Sequence, residues 1–189
     1  GIGAGDLQGA GGGVDMELPC GRFYFDTIET RSRPITLRVD GRTLIYVAGD
    51  VTVENPLNVI VGPMGELDLF IAGNLEATDA LNLGDGTSRP ASVRLYVGGT
   101  RPILMSSGTT LAGNLYAPFA QLRPADRVTI FGSAFVESFA SSGDVTIHYD
   151  RAVITADEDC PDIPGPMPDG GVPSDGGVPP PGCMTCGDC

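Results

Sequence analysis

The chain has 189 residues and a formal net charge of -13, from 24 acidic and 11 basic residues, the latter all arginine; Gly 28 and Pro 16 are high, and Trp is absent. That length holds about one domain with a sizeable core. The charge repels phosphate backbones and so disfavours nucleic acid as a partner, and no stretch approaches the roughly 18 apolar residues of a membrane helix, so no membrane insertion is expected of this segment.

The start, GIGAGDLQGAGGG, has no Met and no basic region leading into an apolar run, and reads as a mature or trimmed chain. Residues 1–13 are Gly-rich and expected to be disordered. Their G-x-G neither follows a strand nor begins a helix, so it fails as a phosphate cradle. From Val14 on, no helical period of three and four is sustained. Strand runs are dense instead: VTV, VIV, LDLFI, VRLYV and VTI. Turn signals separate them, NP at Asn55, GPMG at Gly62, GDGTSRP at Gly84 and SSG at Ser106 and Ser141. The fold class is all-β.

One word recurs along these strands. Val47, Ile71 and Val97 each end an apolar alternation and precede Ala48-Gly49-Asp50, Ala72-Gly73-Asn74 and Gly98-Gly99-Thr100. The steps are 24 and 26 residues. Further on, GTTLAG at Gly108, DRVTIF at Asp126 and GDVTIH at Gly143 align at steps of 18 and 17. A β repeat of this period predicts a β-solenoid (a β-helix) over residues 14–160, in which stacked coils bury a continuous apolar column. A β-sandwich of short strands is the alternative. In the solenoid, alternation points Leu67, Leu69 and Ile71 inward and Asp68 and Phe70 outward. Gly with Asp or Asn fits a corner at positive φ. Asn74 and Asn114 are read as ordinary turn residues, with an amide ladder as the other option. Phe23, Tyr24 and Phe25 precede the first clear coil and are expected to cap one end.

Residues 161–182, PDIPGPMPDGGVPSDGGVPPPG, read as a Pro/Gly linker, and residues 183–189 as the start of a Cys-rich tail. Cys20 and Cys160 bracket the repeats, which suggests a disulfide tying the domain ends in an oxidising compartment. Cys183, Cys186 and Cys189 form C-x-x-C-x-x-C. Structural zinc takes four ligands and this motif offers three, so disulfides are the reading and no metal is assigned.

Residues able to carry chemistry are few. His148 shares IHYD with Asp150, a pair that can orient a general base. Residues two apart share a strand face in any case, and His148 occupies the slot of Phe131 in the repeat, so it reads as structural. Glu66 and Asp68 flank Leu67, and Asp157, Glu158 and Asp159 form a run. Paired carboxylates can cleave glycosidic bonds or hold calcium, but a solvated acidic face is the simpler reading. Without Lys, a lyase needs Arg94 or Arg123 as base, and Arg is hard to deprotonate. Ser106 and Ser141 place hydroxyls on corners, read as turn residues. Tyr46, Phe70 and Tyr96 sit one residue before the register positions and form a possible ligand face, or else a second apolar layer under an N-terminal segment.

The succession LPCGRFYFD, LRVDGRTLIYVAGDV, GELDLFIAGNL, VRLYVGGT, LAGNLYAPFAQL, FGSAFVESF and VTIHYDRAV, with GNLYAPFA at Gly113 and IHYD at Ile147, resembles a bacterial secreted domain of unknown function. It is similar to choice-of-anchor and minor-pilin-associated β-solenoid modules. The likeness spans Leu18 to Val153 and implies a right-handed β-helix in an extracellular setting. It transfers no catalytic residues and no cofactor. The expectation is a non-enzymatic structural or adhesion module, secreted or at the cell surface, with self-association into filaments or a surface glycan or protein ligand as partners. The alternative is a carbohydrate-binding or polysaccharide-degrading β-helix.

Overall fold

A computed structural model of the chain describes residues 2–3, 7–8, 13–84, 89–106, 108–125 and 127–150. Among these are 17 strands, one short 3-10 turn at Pro90–Ser92, and no α-helix. Every strand ladder is parallel, whereas a sandwich is built from antiparallel pairs, so the chain is a β-solenoid. Each coil lays one strand on each of three faces before passing to the next coil.

The first face stacks β3 (Val14–Leu18), β6 (Ile35–Val39), β9 (Leu57–Val61) and β12 (Leu81–Leu83). The second stacks β1 (Ile2–Gly3), β4 (Gly21–Phe25), β7 (Arg42–Val47), β10 (Glu66–Ile71) and β13 (Val93–Val97). The third stacks β2 (Leu7–Gln8), β5 (Ile28–Glu29), β8 (Val51–Val53), β11 (Leu75–Ala77) and β14 (Ile103–Met105). The long strands β15 (Thr110–Pro124) and β16 (Val128–Phe139) then wrap all three faces, and β17 (Val145–His148) adds a last first-face strand.

The recurring word becomes a column: Val47 stands opposite Ile71, and Ile71 opposite Val97. Leu67, Leu69 and Ile71 are buried as alternation requires, with Asp68 and Phe70 on the outside. The core is mainly aliphatic, strand over strand, and the hydroxyls of its buried threonines are bonded. Thr43 donates to Pro19 and Gly41 carbonyls, and the Thr109 hydroxyl accepts the Leu81 N–H at 3.2 Å.

Several expectations are corrected. Within the Gly-rich start, where disorder is expected over residues 1–13, residues 2–3 and 7–8 form β1 and β2 and Leu7 is 8% exposed, while residues 1, 4–6 and 9–12 lie outside the described residues. Phe23, Tyr24 and Phe25 are no cap: they form a full strand between β1 and β7, with Phe23 and Phe25 in the core. Thr110 faces Thr129, a 19-residue step where the alignment on Gly108 and Asp126 gave 18. That slip would have turned each side chain to the wrong face. The corner glycines Gly49, Gly73 and Gly99 do not adopt positive φ. They stack directly, Gly73 N–H to the Gly49 carbonyl at 3.1 Å and Gly99 N–H to the Gly73 carbonyl at 2.8 Å. A Cβ on Gly73 would lie 2.5 Å from the Gly49 oxygen. Close approach of backbone to backbone, not a left-handed turn, is what excludes a side chain there.

Candidate functional site

The second face carries the most distinctive exterior of the molecule. Its outward positions place Tyr24, Tyr46, Phe70, Tyr96, Tyr116 and Phe135 in one register column. The proposed face of Tyr46, Phe70 and Tyr96 is therefore the middle of a longer row. Its rings lie largely face to face: Phe70 and Tyr96 at 4.4 Å and 6°, Tyr116 and Phe135 at 5.2 Å and 9°, Tyr24 and Tyr46 at 5.7 Å and 22°. Tyr96 and Tyr116 are tilted by 58° at 6.2 Å. Strand spacing of about 4.8 Å imposes this, because identical outward slots leave adjacent rings one van der Waals contact apart. The row is not a covered second layer, since Tyr46 is 40% and Phe135 61% exposed. It presents ring edges and phenol hydroxyls to the outside, while most ring faces are turned to each other. Desolvation, and then the Asp26 carboxylate, hold the Tyr24 phenol above its ordinary pKa.

Beside this row, two residues earlier on each strand, runs a column of Arg22, Leu44, Asp68, Arg94, Asn114 and Ser133, polar at every position but Leu44. Arg94 grips Asp68 through Nε, and its NH2 group reaches Asp68 Oδ2 at 3.3 Å and Glu66 Oε2 at 3.4 Å. Those hydrogen bonds with Asp68 raise the Arg94 pKa further, so it is no base. Glu66 and Asp68, the carboxylate pair weighed for glycosidase chemistry, both bond the Arg94 guanidinium. Arg123 lies on the third face, bonded through Nε to the Gln121 side chain.

The corner after the second face forms a second network. The Asp50 carboxylate accepts the Asn74 backbone N–H at 2.7 Å, the Asn74 side-chain amide at 3.0 Å and Arg101 at 3.0 Å. The backbone hydrogen bond leads in lowering its pKa, against desolvation, with help from the Asn74 amide and Arg101. Asn74 is thus laddered, but to Asp50 below and the Arg101 N–H above. Asn114 lies elsewhere, on the second face, where it accepts from Ser133 at 2.8 Å. The amide ladder that does form was not anticipated. It runs up the first face, where the Asn82 amide donates to Asn58 at 2.9 Å within a column of Thr36, Asn58, Asn82, Thr110, Thr129 and Thr146. Its signal was present as the polar second letter of ITL, LNV, LNL and VTI.

His148 pairs with Phe131 in register and stacks on it at 4.7 Å and 10°, as its slot in the repeat implied, although that slot faces outward. Cys20 sits in the turn between β3 and β4, against Gly41. Cys160, Cys183, Cys186, Cys189, the run from Asp157 to Asp159 and the linker at 161–182 lie outside the described residues. Among the described residues no group of three or more His, Cys, Asp or Glu is placed to hold a metal, and no helix is long and apolar enough to cross a membrane.

Residues 5–156 match the family model of a domain of unknown function. No curated protein and no solved structure matches the chain.

Proposed function

The chain belongs to the DUF7305 family, and within it we propose that this protein is a non-enzymatic, extracellular structural or adhesion module of a bacterial surface or filament protein. One observation carries the reading: parallel strands stack coil on coil in three columns, the first running from β3 to β17, and several exterior side chains bond or stack onto neighbours in the next coil. An inner strand bonded on both edges yields to tension only when a row of hydrogen bonds breaks together, which suits a rigid spacer. Pulling the full chain by its ends in a force spectrometer tests this. Stepwise rupture of successive coils at high force is the expected record, and smooth extension at low force would sink the proposal.

The extracellular setting rests on the Cys20–Cys160 bridge proposed from their positions around the repeats. Freshly isolated native protein should then label at neither residue until reduced. Self-association into filaments is checked by electron micrographs of the purified chain. The second reading, glycan binding at Tyr46, Phe70 and Tyr96, draws on their exposed edges. It is weakened by the ring faces being turned to each other, because sugars pack on faces. A glycan array separates the two: binding lost in a folded Tyr96→Ala protein would favour sugar recognition, whereas no binding to any glycan leaves the structural reading.

A further inference from the structure

The first face has β3 as its first strand and β17 as its last, and among the described residues each is paired on one edge only, β3 with β6 and β17 with β16. At both edges the apolar column is cut open. Val14 and Met16 are half-buried, although their register partners Ile35 and Leu37 are 0% and 1% exposed. Val145 is half-buried and Ile147 is 53% exposed, next to fully buried Val128 and Ile130. The last coils are also poor in charge for a chain of net charge -13: from Met105 to Tyr149 only Arg123, Asp126, Arg127, Glu137 and Asp144 are charged. An unpaired edge with open apolar columns and few charges is where a further strand adds.

We propose that the added strand is β3 of a second copy of this chain, stacked head to tail so that β17 continues into β3 as a parallel ladder. The order of faces permits it. The chain reaches the first face with β17, and a following copy takes the second face with β1 and the third with β2 before it reaches the first with β3. One full coil therefore separates β17 from that β3. The columns then match. Carrying the first-face register onward sets Thr146 against Asp15, His148 against Glu17, and Val145 and Ile147 against Val14 and Met16. In that register the Thr146 hydroxyl donates to the Asp15 carboxylate and an imidazole N–H to Glu17. A tail-to-tail pair would join β17 antiparallel, unlike the ladders within the chain, and would keep His148 away from Glu17. A head-to-tail contact does not close on itself, so it generates a filament. This rests on the filament reading above and gives it a partner strand and a register.

The test follows the full chain by analytical ultracentrifugation over a range of concentrations, with amide exchange and electron micrographs of the same samples. Species longer than dimers are expected, seen as unbranched stacks, with β17 amides that open first in dilute protein and become protected as the chain associates. Ile147→Asp should weaken association at least about tenfold while the dilute chain keeps its circular dichroism spectrum, because the side chain is half exposed. Ile60→Asp, exposed on the same face in mid-stack, should leave association unchanged. His148→Glu should weaken it by facing Glu17, and adding Glu17→Gln to the same chain should restore it. Growth that stops at dimers, or no rescue by Glu17→Gln, would overturn the proposal. So would a chain that stays monomeric, and β17 amides protected in that monomer would assign the edge to the chain's own residues after Asp150. Loss of stacking with high rupture forces kept would leave the rigid structural role standing, whereas smooth low-force extension of a chain that still stacks would sink that role alone.

Discussion

Gly73 has no space for a methyl group, since its would-be Cβ meets the Gly49 oxygen at 2.5 Å and Asp50 Oδ1 at 2.3 Å. Gly108 is the opposite case: its φ is +84° and nothing lies within 4 Å of an added Cβ. Two glycines in similar turn sequences are therefore needed for different reasons, one for contact and one for conformation. Gly73→Ala must push two coils apart and should cost roughly 2–3 kcal/mol. Gly108→Ala should cost about 1 kcal/mol through backbone strain alone. Urea denaturation of the two variants checks the order, and equal losses would refute the distinction. Sequence alone marked the first glycine as special but assigned it the second one's reason, because a stacking neighbour 24 residues away is invisible until the register is known. Asp50 beside it makes a pH prediction. Its folded pKa is lowered, chiefly by the Asn74 backbone N–H. A depressed carboxylate stabilises the fold above its unfolded pKa of about 3.9 and loses that contribution as pH falls through the lower folded value. Stability should therefore drop between about pH 4 and the more acid folded value, and Asp50→Asn should flatten that drop. Urea midpoints at pH 5 and pH 3 measure it, and parallel losses in both proteins would count against the assignment.

At the scale of elements, the outward row of the second face contributes through ring contacts. Tyr96 stacks on Phe70 and touches Tyr116 at an angle, so it holds three coils at once. Tyr96→Ala should cost roughly 1–2 kcal/mol, the sum expected for one stacked and one tilted aromatic pair, with the fold retained. Tyr96→Phe keeps the rings and should be close to neutral. Thermal unfolding of the two proteins makes the comparison; if both lose alike, the phenol hydroxyl and not the stacking is what counts. Tyr46, Phe70 and Tyr96 were legible as a row because the words containing them share a length and an ending. Tyr24, Tyr116 and Phe135 were not assigned to it, since LPCGRFYF, LAGNLYAP and FGSAFVES end differently although their strands stack alike. The clamp of Arg94 on Asp68 and Glu66 escaped for a related reason, as partners 26 and 28 residues apart meet only after the coil closes.

For the whole molecule, coil length varies while the stacking does not. The early coils turn through loops such as Gly62–Gly65, whereas β15 and β16 pass from face to face with no loop and shorten the step to 19 residues. The tightening was legible as a change of spacing, but its one-residue error came from treating corners as constant. In a stack of this kind stability is a sum of neighbour terms, so a coil's protection depends on what lies above and below it. The two ends differ. At the beginning, Leu7 and Leu18 are buried, and Phe23 is only 9% exposed. In the last described coil, Phe139 is 47% and Ile147 53% exposed, though Leu122 and Ile130, their register partners one coil back, are fully buried. Opening should therefore start at β17 and the end of β16 and travel toward the start of the chain. Native-state hydrogen exchange should show the slowest amides in β7, β10 and β13, bonded on both edges and covered by coils on both sides, and the fastest in β17. If instead all strands exchanged at one common rate set by global unfolding, the coils would be acting as a single cooperative unit. The stepwise rupture expected under tension would then lose its basis.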